Sequence, residues 1–274
     1  MPDLCILTRL HNSDTIEGYR RSMESLFNQT RQPERILILQ NGNISDELRR
    51  QAIEFESTHS HVDIERIEPS VSRGEALRQG VAATDAELIA ILDCGDVAVP
   101  ERFERQTSHL LETQADVVGG YVAEFHGNPD DPHAIRTVPT TPEGIRAFAK
   151  YRSPVNHTTA CIRRSALVDV GNYRAMSRME DYDLWVRLLV AGKSVRNMDI
   201  VLSMVGAGPE LYERRGGTQY CRDEIQLLWR FYSSYRFYTF LEFLTNVVIR
   251  TPVRLFPTRI RAGLYRRFLR SQNP

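Results

Sequence analysis

The run from Leu88 to Leu92 is five apolar residues long and stops on Asp93, Cys94, Gly95 and Asp96. An unbroken apolar run of this length suits a strand covered on both faces, as in a parallel α/β sheet. Parallel sheets bind ligands at the carboxyl ends of their strands. Two carboxylates at the lip of such a strand carry a desolvation cost that a bound partner relieves. Asp93 and Asp96 therefore stand where an α/β enzyme holds a metal and a phosphorylated ligand.

The first half of the chain builds the sheet that this strand needs. Leu4 to Thr8 reads as a strand, and Ile16, Tyr19, Met23, Leu26 and Phe27 make a helical stripe. Arg35 to Gln40 is the next strand, with a turn at Asn41-Gly42 and a helix over Asp46 to Glu56. Val62 to Ile67 is a third strand, and Arg73 to Ala83 is a helix. Pro100 opens another helix that runs to Leu111. Strict alternation of this kind predicts a parallel sheet wrapped by helices. Val117 to Phe125 and Thr158 to Ile162 read as later strands.

A second concentrated signal is Met179 to Val190. Leu184, Trp185, Leu188 and Leu189 form the buried face of a helix, with Glu180 and Asp181 in its first turn. Carboxylates there suit the positive end of the helix dipole, so a capping role competes with a catalytic one. Asp183 reads as solvent-facing or as a cap partner.

Composition removes several classes. Lys plus Arg and Asp plus Glu balance at 35 each, which argues against a general nucleic-acid binder. The four cysteines are scattered, which suits a reduced cytoplasmic compartment, and the N-terminus carries no basic leader. Phe237 to Ile249 is interrupted by Glu242 and Asn246, too short and polar to span a bilayer. From Arg230 to Arg270 there are nine arginines and one acid, Glu242, interleaved with aromatic and aliphatic residues. A basic amphipathic segment of this kind is either a membrane-surface element or a set of helices packed on the main domain.

Together the landmarks Leu92 to Asp96, Val118 to Val122, Pro154 to His157, Gly171 to Tyr173, Glu180 to Trp185, Tyr212 to Gly217 and Pro252 to Pro257 resemble family 2 glycosyltransferases of the GT-A fold. The similarity is to the subgroup that builds bacterial capsule, exopolysaccharide and O-antigen. It implies a GT-A α/β domain over residues 1–215 and a C-terminal amphipathic helical appendage over 216–274. It also implies inverting transfer of a sugar from a nucleotide-diphospho-sugar to a polysaccharide or lipid-linked acceptor. The implied place is the cytoplasm, peripheral on the inner face of its membrane. By resemblance, Asp181 is the catalytic base with Glu180 beside it. Thr8, Asn41, Arg73, Arg78, Asp93, Arg214 and Arg215 fall on the nucleotide-sugar side, and Asn156, His157 and Trp185 on the acceptor side. Asp93 and Asp96 would bind Mn2+ or Mg2+.

The departures from the family pattern are on the donor side. Asn41 stands where the family usually has an acid, and Gly95 where it has the metal-binding Asp. Ser70, Ser72 and Arg78 replace other family residues. Three explanations stay open. Asp96 takes over the metal, since Gly95 lets the backbone bend. Arginines replace the metal. Or the chain is a catalytically degenerate scaffold subunit.

Overall fold

The computed structural model describes residues 1–207 and 216–256. Arg214 and Arg215, assigned above to the diphosphate, lie outside the described residues. The first strands are β1 (Leu4–His11), β2 (Arg35–Asn41), β3 (Val62–Ile67) and β4 (Leu88–Ile91). They alternate with α1 (Ile16–Phe27), α2 (Asp46–Thr58) and α3 (Arg73–Ala82). β1 pairs in parallel with β2 on one side and β4 on the other, and β2 pairs in parallel with β3. The chain thus builds outward from β1 to β3, then crosses back to place β4 on the other flank of β1. The strand order reverses between β1 and β4, and such a reversal opens a ligand crevice at the strands' carboxyl ends.

Next come β5 (Val97–Ala98), α4 (Arg102–Thr113), β6 (Val117–Phe125), β7 (Pro132–Arg136) and α5 (Pro142–Phe148). They are followed by β8 (Cys161–Arg163), α6 (Arg164–Asp169), α7 (Glu180–Val190) and β9 (Val195–Gly206). The sheet order is β3-β2-β1-β4-β8-β6-β9-β5, with β7 on β6. β8 runs antiparallel to β4 and β6. The strand expected from Thr158 starts later, because His157–Thr159 forms a 3-10 turn. The Thr159 hydroxyl donates to the Asn156 carbonyl at 2.7 Å, a local bond that competes with strand pairing.

Alternate residues of β1 face opposite layers. Ile6 packs with Tyr19, Ile38 and Phe103 on one face, and Leu7 with Leu37 and Trp185 on the other. The second layer also takes in the C-terminal helices α8 (Thr218–Ser233) and α9 (Phe240–Leu255). Leu227, Leu228 and Phe231 of α8, with Phe237 and Tyr238 from the turn after it, belong to the same cluster as Leu7. Among the described residues, no helix is long and apolar enough to cross a membrane.

Candidate active site

Arg73 is the centre of the crevice. Ser72 caps α3 by accepting from the Glu75 amide, which fixes where Arg73 leaves the helix. Gly74 lets that helix start lie against the loop before α7. A Cβ at Gly74 would stand 1.9 Å from the Arg174 carbonyl oxygen, and the Gly74 amide donates to Met176 at 2.9 Å. Arg73 is thereby held between the end of β4 and the start of α7. Its Nη2 donates to both carboxylate oxygens of Asp93 at 2.8 Å, and its Nε lies 2.6 Å from Glu180 Oε1. Nη2 is also 3.3 Å from His157 Nδ1, and His157 Nε2 is 3.0 Å from the Tyr173 hydroxyl.

The electrostatics separate the carboxylates. Burial alone would raise Asp93, but Arg73 and then His157 outweigh it and hold the carboxyl well below the usual range. Burial pushes Glu180 up, Arg73 opposes it, and the neighbouring Asp181 adds to the rise. Asp96 is pushed up to about 8, by burial and then by the charge of Asp93, with a Thr158 hydrogen bond pulling the other way. Asp181 is half-buried and accepts a long hydrogen bond from the Ser153 hydroxyl at 3.4 Å. Glu180 is therefore paired with Arg73, while Asp181 beside it has one long side-chain hydrogen bond among the described residues. Both follow Met179, which takes a left-handed backbone at φ 58°. For a residue that is not glycine this is strain of the kind that collects at functional sites.

The loop that carries Asp93 and Asp96 is clasped from α1. The Ser22 hydroxyl donates to the Asp96 carbonyl at 2.8 Å and accepts from the Gly95 amide at 2.8 Å. Gly95 sits at φ +93°, which a side chain would resist. From below, the fully buried Arg102 donates to the Ile91 carbonyl at 2.8 Å and to the Ser203 hydroxyl at 3.0 Å. Arg9, at the carboxyl end of β1, donates to Asn41 Oδ1 at 3.2 Å, and Asn41 donates to the Glu68 carbonyl at 3.3 Å. Burial, then the nearby Arg73, push the Arg9 guanidinium down. Sequence reasoning did not single out Arg9, Ser22, Ser153 or Arg102. A charged residue closing the apolar strand Leu4–Leu10 was the available signal for Arg9.

The structure brings together Arg73, Asp93, Asp96, His157, Glu180 and Asp181, with Asn41 at the β2 end of the crevice. Thr8 is buried within β1. Arg78 points elsewhere: it pairs with Glu75 at 2.6 Å, five residues along α3 from Arg73. Asn156 spends its amide on the Gly120 carbonyl at 2.8 Å, so it braces the site from behind. Trp185 was expected on the acceptor side. It is fully buried, with its ring 6.2 Å from His157, and serves as packing beneath the site. Asp183 was expected to face solvent. It is fully buried instead, bonded by Arg187 at 2.7 Å and by the Tyr235 hydroxyl at 2.7 Å.

A divalent cation can be tested against these residues. Among the described residues no group of three His, Cys, Asp or Glu side chains forms a metal cluster. Asp96, however, is buried beside Asp93 and has no ion-pair partner among the described residues. A buried acid repelled by a neighbouring carboxylate suits one more positive charge, and hard carboxylate oxygens suit Mg2+ or Mn2+. Asp93 and Asp96 together would fit a hard divalent cation.

The comparisons with known proteins agree with this geometry. Residues 6–173 match the model of the family described as glycosyl transferase family 2. The chain belongs to that family and is a glycosyltransferase. It is 31% identical over 264 residues to the amylovoran biosynthesis glycosyltransferase AmsE of Erwinia amylovora, covering 95% of this chain and 97% of that one. It is 27% identical over 270 residues to the UDP-Gal:alpha-D-GlcNAc-diphosphoundecaprenol beta-1,3-galactosyltransferase of Escherichia coli, covering 98% and 97% of the two chains. Among solved structures, the mannosyltransferase PcManGT of Pyrobaculum calidifontis, in complex with GDP-Man and Mn2+, superposes with a TM-score of 0.65 at 12% identity, covering 97% of this chain and 76% of that one. TarS of S. aureus superposes with a TM-score of 0.61 at 14% identity, covering 97% of this chain, which spans 52% of the TarS chain. At such identities these likenesses establish the fold, which is that of GT-A glycosyltransferases.

Proposed function

We propose that this glycosyltransferase adds one sugar, with inversion, from a nucleotide-diphospho-sugar to a lipid-linked or polysaccharide acceptor during surface polysaccharide synthesis. The acceptor hydroxyl oxygen forms the new bond to the anomeric carbon. The bond from that carbon to the diphosphate oxygen breaks, and the nucleoside diphosphate leaves with the electron pair. The hydroxyl proton passes to Asp181, the general base. Glu180, paired with Arg73 at 2.6 Å, positions that guanidinium and is not assigned the proton transfer. Arg73 and Arg9 meet the donor at the β1/β4 crevice, where their guanidinium groups suit phosphate oxygens. Asp93 and Asp96 would hold Mn2+ or Mg2+, which when bound neutralises charge on the leaving diphosphate.

The observation that carries this reading is the division of labour at the start of α7. One acid of the pair is tied to Arg73 at 2.6 Å, and the adjacent acid is half-buried with one side-chain hydrogen bond among the described residues, at 3.4 Å from Ser153. The AmsE and lipid-linked galactosyltransferase names support the acceptor class, and with it work at the inner face of the cytoplasmic membrane.

Calorimetric titration with UDP, GDP and CDP, with and without Mn2+, tests the donor side. Tight binding of one nucleotide that a chelator weakens about tenfold or more is expected if Asp93 and Asp96 hold a cation that supports donor binding. Binding unchanged by chelator would give the neutralising role to arginines, with Arg73 and Arg9 the candidates at the crevice. No binding of any nucleotide would point instead to a non-catalytic subunit of an assembly complex.

A further inference from the structure

α9 is turned inside out. Its polar side chains face the protein body: Glu242 pairs with Lys150 at 3.0 Å, and Asn246 donates to the Lys150 carbonyl at 3.0 Å. Arg250 and Arg254 both reach Glu224 of α8. Asn246 is 2% exposed and Arg254 8%. The outer side holds Phe240, Leu241, Leu244, Val248, Ile249 and Leu255, with Leu241 72% and Val248 and Ile249 63% exposed. None of these six residues carries a charge. The sequence expectation of a basic outward face is therefore reversed: the arginines of α9 are anchors, and the outward face is apolar. Trp229 of α8 extends the patch, half exposed, with its ring 5.5 Å from Phe243.

A helix that buries its charges and exposes its aliphatic side chains meets an apolar partner. Charge identifies which one. Arg236 is exposed in the turn before α9. In sequence, α9 leads directly into residues 257–274, which contain Arg259, Arg261, Arg266, Arg267 and Arg270 and no acid. A second copy of the chain would carry the same acid-free, arginine-rich sequence after α9, whereas an anionic lipid surface offers opposite charge. α9 has 16 residues, too few to span a bilayer, so it would lie in the plane of the interface.

We propose that the outer face of α9, with Trp229 at its edge, is a membrane-docking surface that beds into the headgroup–acyl boundary of an anionic bilayer. This goes beyond the proposed sugar transfer and is tested without it. The full chain is floated with vesicles of phosphatidylethanolamine and phosphatidylglycerol, beside Val248→Asp/Ile249→Asp and, separately, Leu241→Asp. Wild type is expected to float, and the double variant to lose partitioning by about tenfold or more, as burial of two apolar side chains is replaced by exposure of two charges. Both variants should keep the wild-type thermal midpoint and nucleotide affinity, since these side chains touch solvent. Wild type should also stay partly bound at high salt, which screens arginines but not apolar burial. Vesicles should shift tryptophan emission to the blue through Trp229, because Trp185, the other of the chain's two tryptophans, is already fully buried.

Equal flotation of variant and wild type overturns the proposal, as does complete release by salt. A wild-type dimer without lipid that the double variant splits into monomers would assign the face to a second copy, and also overturns it. Lost flotation with lost nucleotide binding in both Val248→Asp/Ile249→Asp and Leu241→Asp would show these positions to be structural, and counts against it as well.

Discussion

Asp181 and Glu180 are neighbours in sequence and opposites in circumstance. Asp181→Asn keeps the shape and removes the base, so kcat is expected to fall by about a thousandfold with nucleotide affinity unchanged. Steady-state kinetics beside calorimetry check this, and equal loss in both would remove Asp181 from the base role. Asp96 makes a pH prediction. Its folded-state carboxyl is raised to about 8, so the folded protein holds a proton that the unfolded chain releases near pH 4. The stability from that proton is complete below the unfolded value and is lost as pH rises toward 8. Asp93 is depressed, so its contribution is lost only in stronger acid and does not cancel the trend. Between pH 5 and about 8, the thermal midpoint of wild type should fall more steeply than that of Asp96→Asn. Parallel slopes for the two proteins would mean that Asp96 is already ionised. Asp93 and Glu180 were legible in the sequence because each is an acid at the end of an apolar pattern. Arg73 was expected on the nucleotide-sugar side with Asp93, but its direct pairing with both acids was not legible, since the contacts span 20 residues to Asp93 and more than a hundred to Glu180, and only the fold closes that distance.

The elements divide along the same line. β1, β2 and β4 are nearly continuous buried runs and α1 to α3 carry helical stripes, so these elements were readable. β9 was missed, because Val195–Gly206 mixes Arg196, Asn197 and Asp199 with apolar residues and pairs in parallel with β6 through two register shifts. Such a strand is specified by its neighbour more than by its own pattern. The pairing of α8 with α9 was equally hidden. Its centre is Glu224, fully buried between Arg250 and Arg254. Burial alone would raise this carboxyl, but Arg254 and Arg250 outweigh it and hold it below its ordinary value. Glu224→Gln removes the carboxylate that faces Arg250 and Arg254 and should cost about 3 kcal/mol, measured by denaturant titration. A change under about 1 kcal/mol would mean that solvent already reaches the pair.

On the scale of the molecule, the question is whether α8 and α9 are an appendage or part of the domain. The composition change near residue 215 suggests a boundary, and the family match ends earlier, at residue 173. Packing argues the other way. Phe231 is fully buried and contacts the Tyr182 ring at 5.0 Å in edge-on geometry, while the Tyr182 hydroxyl lies 3.1 Å from that of Tyr238. Tyr182 follows Asp181 directly, so these helices support the segment that carries the proposed base. Removing one buried aromatic costs about 3–5 kcal/mol, and whole domains are stable by only about 5–15 kcal/mol. A chain ending at residue 215 would lose Phe231, Phe237 and Tyr238 together, with Leu227 and Leu228. Such a chain is expected to show no cooperative thermal transition and to bind no nucleotide. If it melted cooperatively and bound nucleotide like the full chain, the helices would be a separable module. Loss of both would make them one folding unit with the active site, and would explain why membrane docking has to be probed by surface substitution rather than by truncation.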